Sequence, residues 1–155
     1  MPGLLEGKRL LITGVLTEAS IAFAAARLAQ EEGAQIVLSN FGRGLSLTRR
    51  IAKRLPQEPP VIELDVTDDA SMSAFLDAVE RRLGPVGVMV NNAGIMPVVP
   101  VLEESADSVR RQLAVNVAGV IAGTRHAAIR MAGRRGGHVV NIASAAGRMG
   151  FAGVA

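Results

Sequence analysis

Five short apolar runs set the strongest limit on what this chain can fold into: Leu10–Ile12, Ile36–Leu38, Val61–Leu64, Val86–Val90 and Val139–Ile142. They are rich in β-branched residues and mostly continuous rather than alternating. That pattern suits strands covered on both faces, as in a parallel sheet. Between the runs, apolar residues recur at helical spacing. Met72, Phe75, Leu76, Val79 and Leu83 form one stripe behind the acidic cap region Asp68-Asp69. Ile21, Ala25 and Leu28 mark a first helix, Leu47, Ile51 and Leu55 a second, and Val109, Leu113, Asn116 and Val120 the last. The order is β-α-β-α-β-α-β-α-β. Right-handed crossovers turn that order into an α/β doubly wound parallel sheet of about five strands, in the order 3-2-1-4-5. At 155 residues the chain is expected to be one domain spanning 1–155.

Composition narrows the function. Hydrophobic residues make up 49% and charged residues 20%, which supports a packed core and excludes a disordered chain. Cysteine is absent, so no disulfide framework and no thiolate metal site is available. His126 and His138 lack companions at ligand spacing, so no metal site is expected. Met89, Met96 and Met131 read as core or pocket filler. The net charge is +3, but the arginines are dispersed among acids, and tyrosine and tryptophan are absent. A nucleic-acid surface would cluster its cations beside stacking aromatics, so no nucleic-acid partner is expected. No apolar stretch approaches a bilayer span, and the N-terminus lacks the basic start and apolar middle of a leader. No membrane partner and a cytoplasmic setting are the expectations.

In a doubly wound sheet, ligands bind beyond the carboxyl ends of the strands near the switch point. Thr13-Gly14, Ser39–Arg43, Asp65–Asp68, Asn91-Asn92-Ala93-Gly94 and Ser144 each follow one of the five runs, so all converge on that edge. The first turn, Thr13-Gly14-Val15-Leu16-Thr17-Glu18-Ala19-Ser20, carries only the first glycine of a dinucleotide fingerprint; Glu18 and Ser20 stand where the later ones would be. A helix cap at Ser20 explains that turn almost as well. Glu103, Glu104 and Asp107 complement the N-terminus of the last helix.

Residues 4–67, notably GKRLLITGVLTEASIAFAAARLAQEEGAQIVLSNF and VIELDVT, closely resemble the mycobacterial and actinobacterial NADH-dependent enoyl-acyl-carrier-protein reductases. That family replaces the glycine triplet with a Gly…Ser-Ile-Ala turn, matched here by Gly14, Ser20, Ile21 and Ala22. The resemblance implies a Rossmann-like, NAD(P)-binding domain and a setting in fatty-acid biosynthesis. It implies that Ser20 and Ile21 face the pyrophosphate, that Phe41 lies beside the adenine, and that Asp65 and Val66 hold the adenine ring. A helix N-cap is the alternative for Asp65. Residues 70–155, through LGPVGVMVNNAGI, NVAGV and GGHVVNIASAAGRMGFAGVA, resemble conventional short-chain dehydrogenase/reductases instead. The chain therefore reads as a mosaic joined near Asp65–Asp68: a chimera, fusion or engineered chain, with a natural hybrid the other reading.

From the second resemblance, Asn91, Asn92, Ala93, Gly94 and Ile95 support the sheet and line the cofactor. Asn116 matches a catalytic Asn that orders a proton-relay water; its alternative is a sheet-bridging amide, since it shares the stripe with Val109, Leu113 and Val120. Ser144 matches the Ser that bonds the substrate carbonyl, with an ordinary turn serine as the alternative. The family's Tyr-x-x-x-Lys motif would fall beyond Ala155, and no tyrosine stands anywhere in the chain. Three readings stay open: an NAD(P)H-dependent oxidoreductase fold inactive alone, a non-catalytic nucleotide-binding module, and a half-domain that needs a C-terminal segment before a carbonyl or enoyl substrate can react. NADH is the expected cofactor. NADPH stays open because Ser39–Arg43 holds no acid and ends in Arg43. The fifth strand is expected to be an exposed edge, giving a homo-oligomer or a self-associating chain.

Overall fold

The computed structural model describes residues 2–134 and 136–150. Five strands form one parallel sheet: β1 (Arg9–Thr13), β2 (Gln35–Asn40), β3 (Val61–Glu63), β4 (Val88–Asn91) and β5 (His138–Asn141). Their spatial order is β3-β2-β1-β4-β5, as the crossover rule predicts. Leu11 of β1 registers with Val37 on one side and Met89 on the other. The order reverses between β1 and β4, and that is the switch point.

Helices cover both faces. On one side α1 (Ile21–Glu31) and α2 (Arg43–Ala52) pack over Leu10, Ile12, Ile36, Leu38 and Val90. On the other, α3 (Asp69–Leu83) and α5 (Gly119–Ala132) pack over Leu11, Val37 and Met89. The α3 stripe is buried as its spacing predicts, through Met72, Phe75, Leu76 and Val79. Each such side chain contributes about 1.5–3 kcal/mol relative to exposure. Asp68 caps the helix by accepting from Ala70 N at 3.0 Å, and Gly84 ends it at φ +79°.

The expected face of α1 is wrong, and that of α2 holds in part. Ile21 and Leu28 are 67% and 57% exposed, and Ala25 is exposed too. α1 instead buries Ala22, Phe23, Ala26 and Ala29. Small side chains let the helix backbone settle close onto the sheet, where larger ones would overpack it. In α2 Leu47 is exposed, but Ile51 packs partly buried against the core and Leu55, just beyond the helix, is buried in it; Leu45, Thr48 and Ala52 are the buried helix positions.

The last helix is also different. α4 (Ala106–Leu113) runs through a π turn (Ala114–Ala118) into α5. Val109, Leu113 and Asn116 do not face the sheet; all three are exposed. The sheet-facing residues are Gly119, Gly123, Ala127 and Met131. A π turn inserts one residue into the ladder and rotates the helix beyond it. The face read from α4 therefore does not continue into α5. Polar contacts lash α5 to α3: His126 Nε2 sits 2.8 Å from Asp69 Oδ1. Further along, Arg134 makes a two-bond fork with Glu80 at 2.6 and 3.0 Å.

Candidate functional site

The switch point is closed by Thr13, which is 2% exposed at the end of β1. Its Oγ1 accepts from Asn92 N at 3.0 Å and Ala93 N at 2.9 Å. Asn92 Nδ2 donates back to Thr13 O at 2.9 Å. Next to it, Gly14 has φ +76°, and a Cβ there would come within 2.7 Å of Ala93 Cα. Only glycine fits that conformation and that approach.

These contacts frame a cavity of about 460 Å3 over the carboxyl ends of β1 to β4, within the ~300–1,000 Å3 of small-molecule sites. It gathers Gly14, Phe41, Asp65, Val66, Ala93, Gly94 and Ile95, all marked in the sequence, from four separate loops. Leu16, Ser39, Leu64, Arg111, Ala114 and Val115 also line it. Only Ser39 among these lay in a polar segment that the sequence placed at the site, and nothing in the local pattern of α4 points to Arg111. Asp65 is not a helix cap, a role that belongs to Asp68. Its Oδ1 accepts from Thr67 N at 2.9 Å and Thr67 Oγ1 at 2.7 Å, which fixes the carboxylate at the cavity wall.

The other marked residues sit apart from that wall. Ser20 caps α1, accepting from Phe23 N at 3.1 Å, and Ile21 opens the helix exposed to solvent. Glu18 is held by Arg54. Asn91 is buried, and its Nδ2 donates to Asn141 Oδ1 at 2.8 Å and Thr124 Oγ1 at 3.1 Å, tying β4 to β5 and α5. Asn116 bridges to a loop rather than to the sheet: its Oδ1 accepts from Ile95 N at 2.9 Å and its Nδ2 donates to Ile95 O at 2.8 Å. Ser144 is exposed and caps the short turn Ala145–Gly147, accepting from Ala146 N at 3.1 Å.

The donor set suits a nucleotide better than a metal. Among the described residues no cluster of His, Asp and Glu could hold a metal ion. The cavity instead pairs apolar walls with one carboxylate, and the Ser39 hydroxyl on its lining is buried with no hydrogen-bond partner. Apolar walls with a few convergent polar groups are the lining of a small-molecule or cofactor site. No helix among the described residues is long and apolar enough to cross a membrane.

Comparison with known proteins agrees with this geometry. A family model described as Enoyl-(Acyl carrier protein) reductase matches residues 14–155. The NADH-dependent enoyl-[acyl-carrier-protein] reductase of Mycolicibacterium smegmatis is 46% identical over 100 residues, which are 63% of this chain and 37% of that protein. The corresponding reductase of Mycobacterium avium is 49% identical over 84 residues, 54% of this chain and 31% of that protein. Sorbitol dehydrogenase of Cereibacter sphaeroides is 36% identical over 149 residues, 96% of this chain and 57% of that protein. The chain thus spans little more than half of the relatives' length at most.

Proposed function

The chain belongs to the short-chain dehydrogenase/reductase family, and from that premise we propose that it binds NADH and forms the nucleotide half of an oxidoreductase. One observation carries the reading: the four loops that close the cavity bring Gly14, Phe41, Asp65, Val66 and Ala93–Ile95 together at the switch point. In this reading Asp65 accepts from the adenine amino group, Phe41 and Val66 flank the ring, and Gly14, Ser20 and Ile21 run beside the pyrophosphate. Asn91, Ala93, Gly94 and Ile95 support the ribose side. NADH is preferred over NADPH on the strength of the likeness to NADH-dependent reductases. Arg43 is the one nearby group that could serve a 2′-phosphate.

Bound there, the cofactor supplies hydride for an enoyl thioester or a carbonyl. The chain's own residues position and relay. An amide has four hydrogen-bonding sites. Asn116 commits two of them to Ile95, which leaves one lone pair and one N–H to order a water. Ser144 aligns the acceptor oxygen. The phenol that would deliver the proton is missing, because the chain holds no tyrosine. General-acid transfer contributes about 10²–10⁴-fold. Turnover by this chain alone is therefore expected to be negligible, and a C-terminal segment carrying Tyr-x-x-x-Lys is expected to be needed for it. The 149-residue match to sorbitol dehydrogenase runs across the expected join near Asp65–Asp68, as does the family match over residues 14–155, so one dehydrogenase framework spans both halves of the expected mosaic. A cytoplasmic setting is part of the same reading.

The other reading is a nucleotide-binding module without catalysis. Calorimetric titration with NADH tests the binding both readings require; no heat of binding with NADH or NADPH would remove them together. Adding a segment with the Tyr-x-x-x-Lys motif separates them, since only the half-enzyme gains turnover.

A further inference from the structure

The helix running through α4, the π turn and α5 touches the ends of three strands. Asn116 holds Ile95 after β4 by its two amide bonds. Three residues on, Gly119 is buried against Val66 after β3. A Cβ at 119 would lie 3.0 Å from Val66 Cγ2 and 3.1 Å from both Val66 Cβ and Val66 O. One turn further, Thr124 and Gly123 flank Asn91, through which the helix reaches Asn141 of β5. Gly119 has φ −61°, an ordinary helical value. Conformational freedom is thus not what glycine supplies there. Glycine lowers helix propensity relative to alanine, and close approach is the compensating gain.

We infer that Gly119 is a positioning residue for the nucleobase end of the cavity, an inference that rests on reading that cavity as a dinucleotide site. Val66 and Ile95 both line it. The helix fixes one through Gly119 and the other through Asn116, so the missing side chain at 119 sets the spacing between the two walls. A methyl group there needs more room than 3.0–3.1 Å, since carbon contacts are optimal at about 3.5–4.0 Å. One of the crowded atoms is a backbone oxygen, which cannot rotate away. Either the helix lifts and strains the Asn116–Ile95 pair, or Val66 moves into the cavity.

The test titrates NADH and AMP into the wild-type chain, Gly119→Ala, Gly133→Ala, Val66→Ala and Val66→Ala/Gly119→Ala, each also melted by circular dichroism. Gly133 ends the same helix with nothing within 4 Å of an added Cβ, so its variant should bind as wild type does. Gly119→Ala should lose about tenfold in affinity for both ligands, because Val66 is pushed from its place in the wall, while the helix propensity that alanine adds offsets the crowding and holds the melting midpoint near wild type. The double variant should lose less than the two single losses multiplied, because Val66→Ala takes Cγ2 out of the crowded contact while Val66 Cβ and O remain. If Gly119→Ala unfolds, the double variant, relieved of the closest contact at Cγ2, should regain the fold and bind within a few-fold of Val66→Ala. Wild-type affinity in Gly119→Ala, losses that multiply in the double variant, a loss matched by the unfolded fraction, or an unfolded double variant would each overturn the inference. A wild-type chain that binds neither ligand would remove the dinucleotide reading and this inference with it.

Discussion

Asn92 donates to Thr13 twice across the switch point, from its backbone N to Oγ1 at 3.0 Å and from Nδ2 to the backbone oxygen at 2.9 Å. With Ala93 N also on Oγ1, one hydroxyl satisfies two main-chain donors at the head of the loop. Thr13→Val keeps the shape and removes the acceptor. Two N–H groups are then stranded beside a buried methyl, and stability should fall by about 2–4 kcal/mol. Urea unfolding measures this directly; an unchanged midpoint would mean that the loop finds other partners.

Asp65 and Asp68 stand three residues apart and should separate cleanly. Asp65→Ala removes the cavity's carboxylate and should weaken NADH by about 1–3 kcal/mol, the worth of a charged hydrogen bond to adenine. Asp68→Ala removes the α3 cap and should cost about 1 kcal/mol of stability with little change in NADH affinity. Calorimetry and thermal melts on both variants decide it. Equal affinity in Asp65→Ala and wild type would end the adenine role.

The strands, the switch point and most of the cavity were legible in the sequence because each left a local mark. A continuous β-branched run can hardly be anything but a covered strand, and glycine beside Thr13 or a carboxylate after β3 is conspicuous at a strand end. The faces of α1 and α4 were not legible. Alanine carries little hydrophobic signal, so Ala22, Ala26 and Ala29 were outranked by Ile21 and Leu28, which the fold leaves outside. The π turn at Ala114–Ala118 broke the period on which the α4 stripe depended. Arg111 joins the cavity only because the fold brings α4 to the loops that follow the strands, a tertiary fact with no trace in its neighbours.

Cofactor choice is open to direct competition. The end of β2 and the loop after it present Ser39, Asn40 and Phe41 to the cavity and no acid for the ribose hydroxyls. NADH should nevertheless outcompete NADPH. A tenfold preference for NADPH would assign Arg43 to the 2′-phosphate and overturn the choice.

Glu80 ties acid stability to the α3–α5 contact. The hydrogen bond from the Arg134 guanidinium, aided by its charge and that of Arg130, holds the Glu80 carboxyl below the usual glutamate range against the opposing effect of burial. A depressed folded-state value stabilises the protein above the unfolded glutamate value, about 4.3. That contribution is lost as pH falls through the lower folded-state value. Glu80→Gln should therefore flatten the fall of stability below about pH 4.3. Denaturation curves taken down the acid range would count against the pairing if both proteins lost stability in parallel.

The last expectation concerns β5, which ends the sheet beyond β4. Val140 in β5 and Ile142 just after it are 42% and 38% exposed, and residues 138–143 include no Pro, Lys or acid to guard the edge. Unpaired N–H and C=O groups on such a strand accept any other strand that arrives. The exposed face of α4 and α5 beside it adds Val109, Leu113, Val117 and Ile121. We propose that the chain self-associates through this edge, with strand addition driven by backbone pairing and the apolar helix face adding buried area. Val140→Lys places a charge where the next strand would lie and should lower the apparent mass. Light scattering across a concentration series checks both statements. A wild-type chain that stays monomeric at high concentration would refute the proposal before any substitution is made, because an edge that pairs at all must pair more as concentration rises.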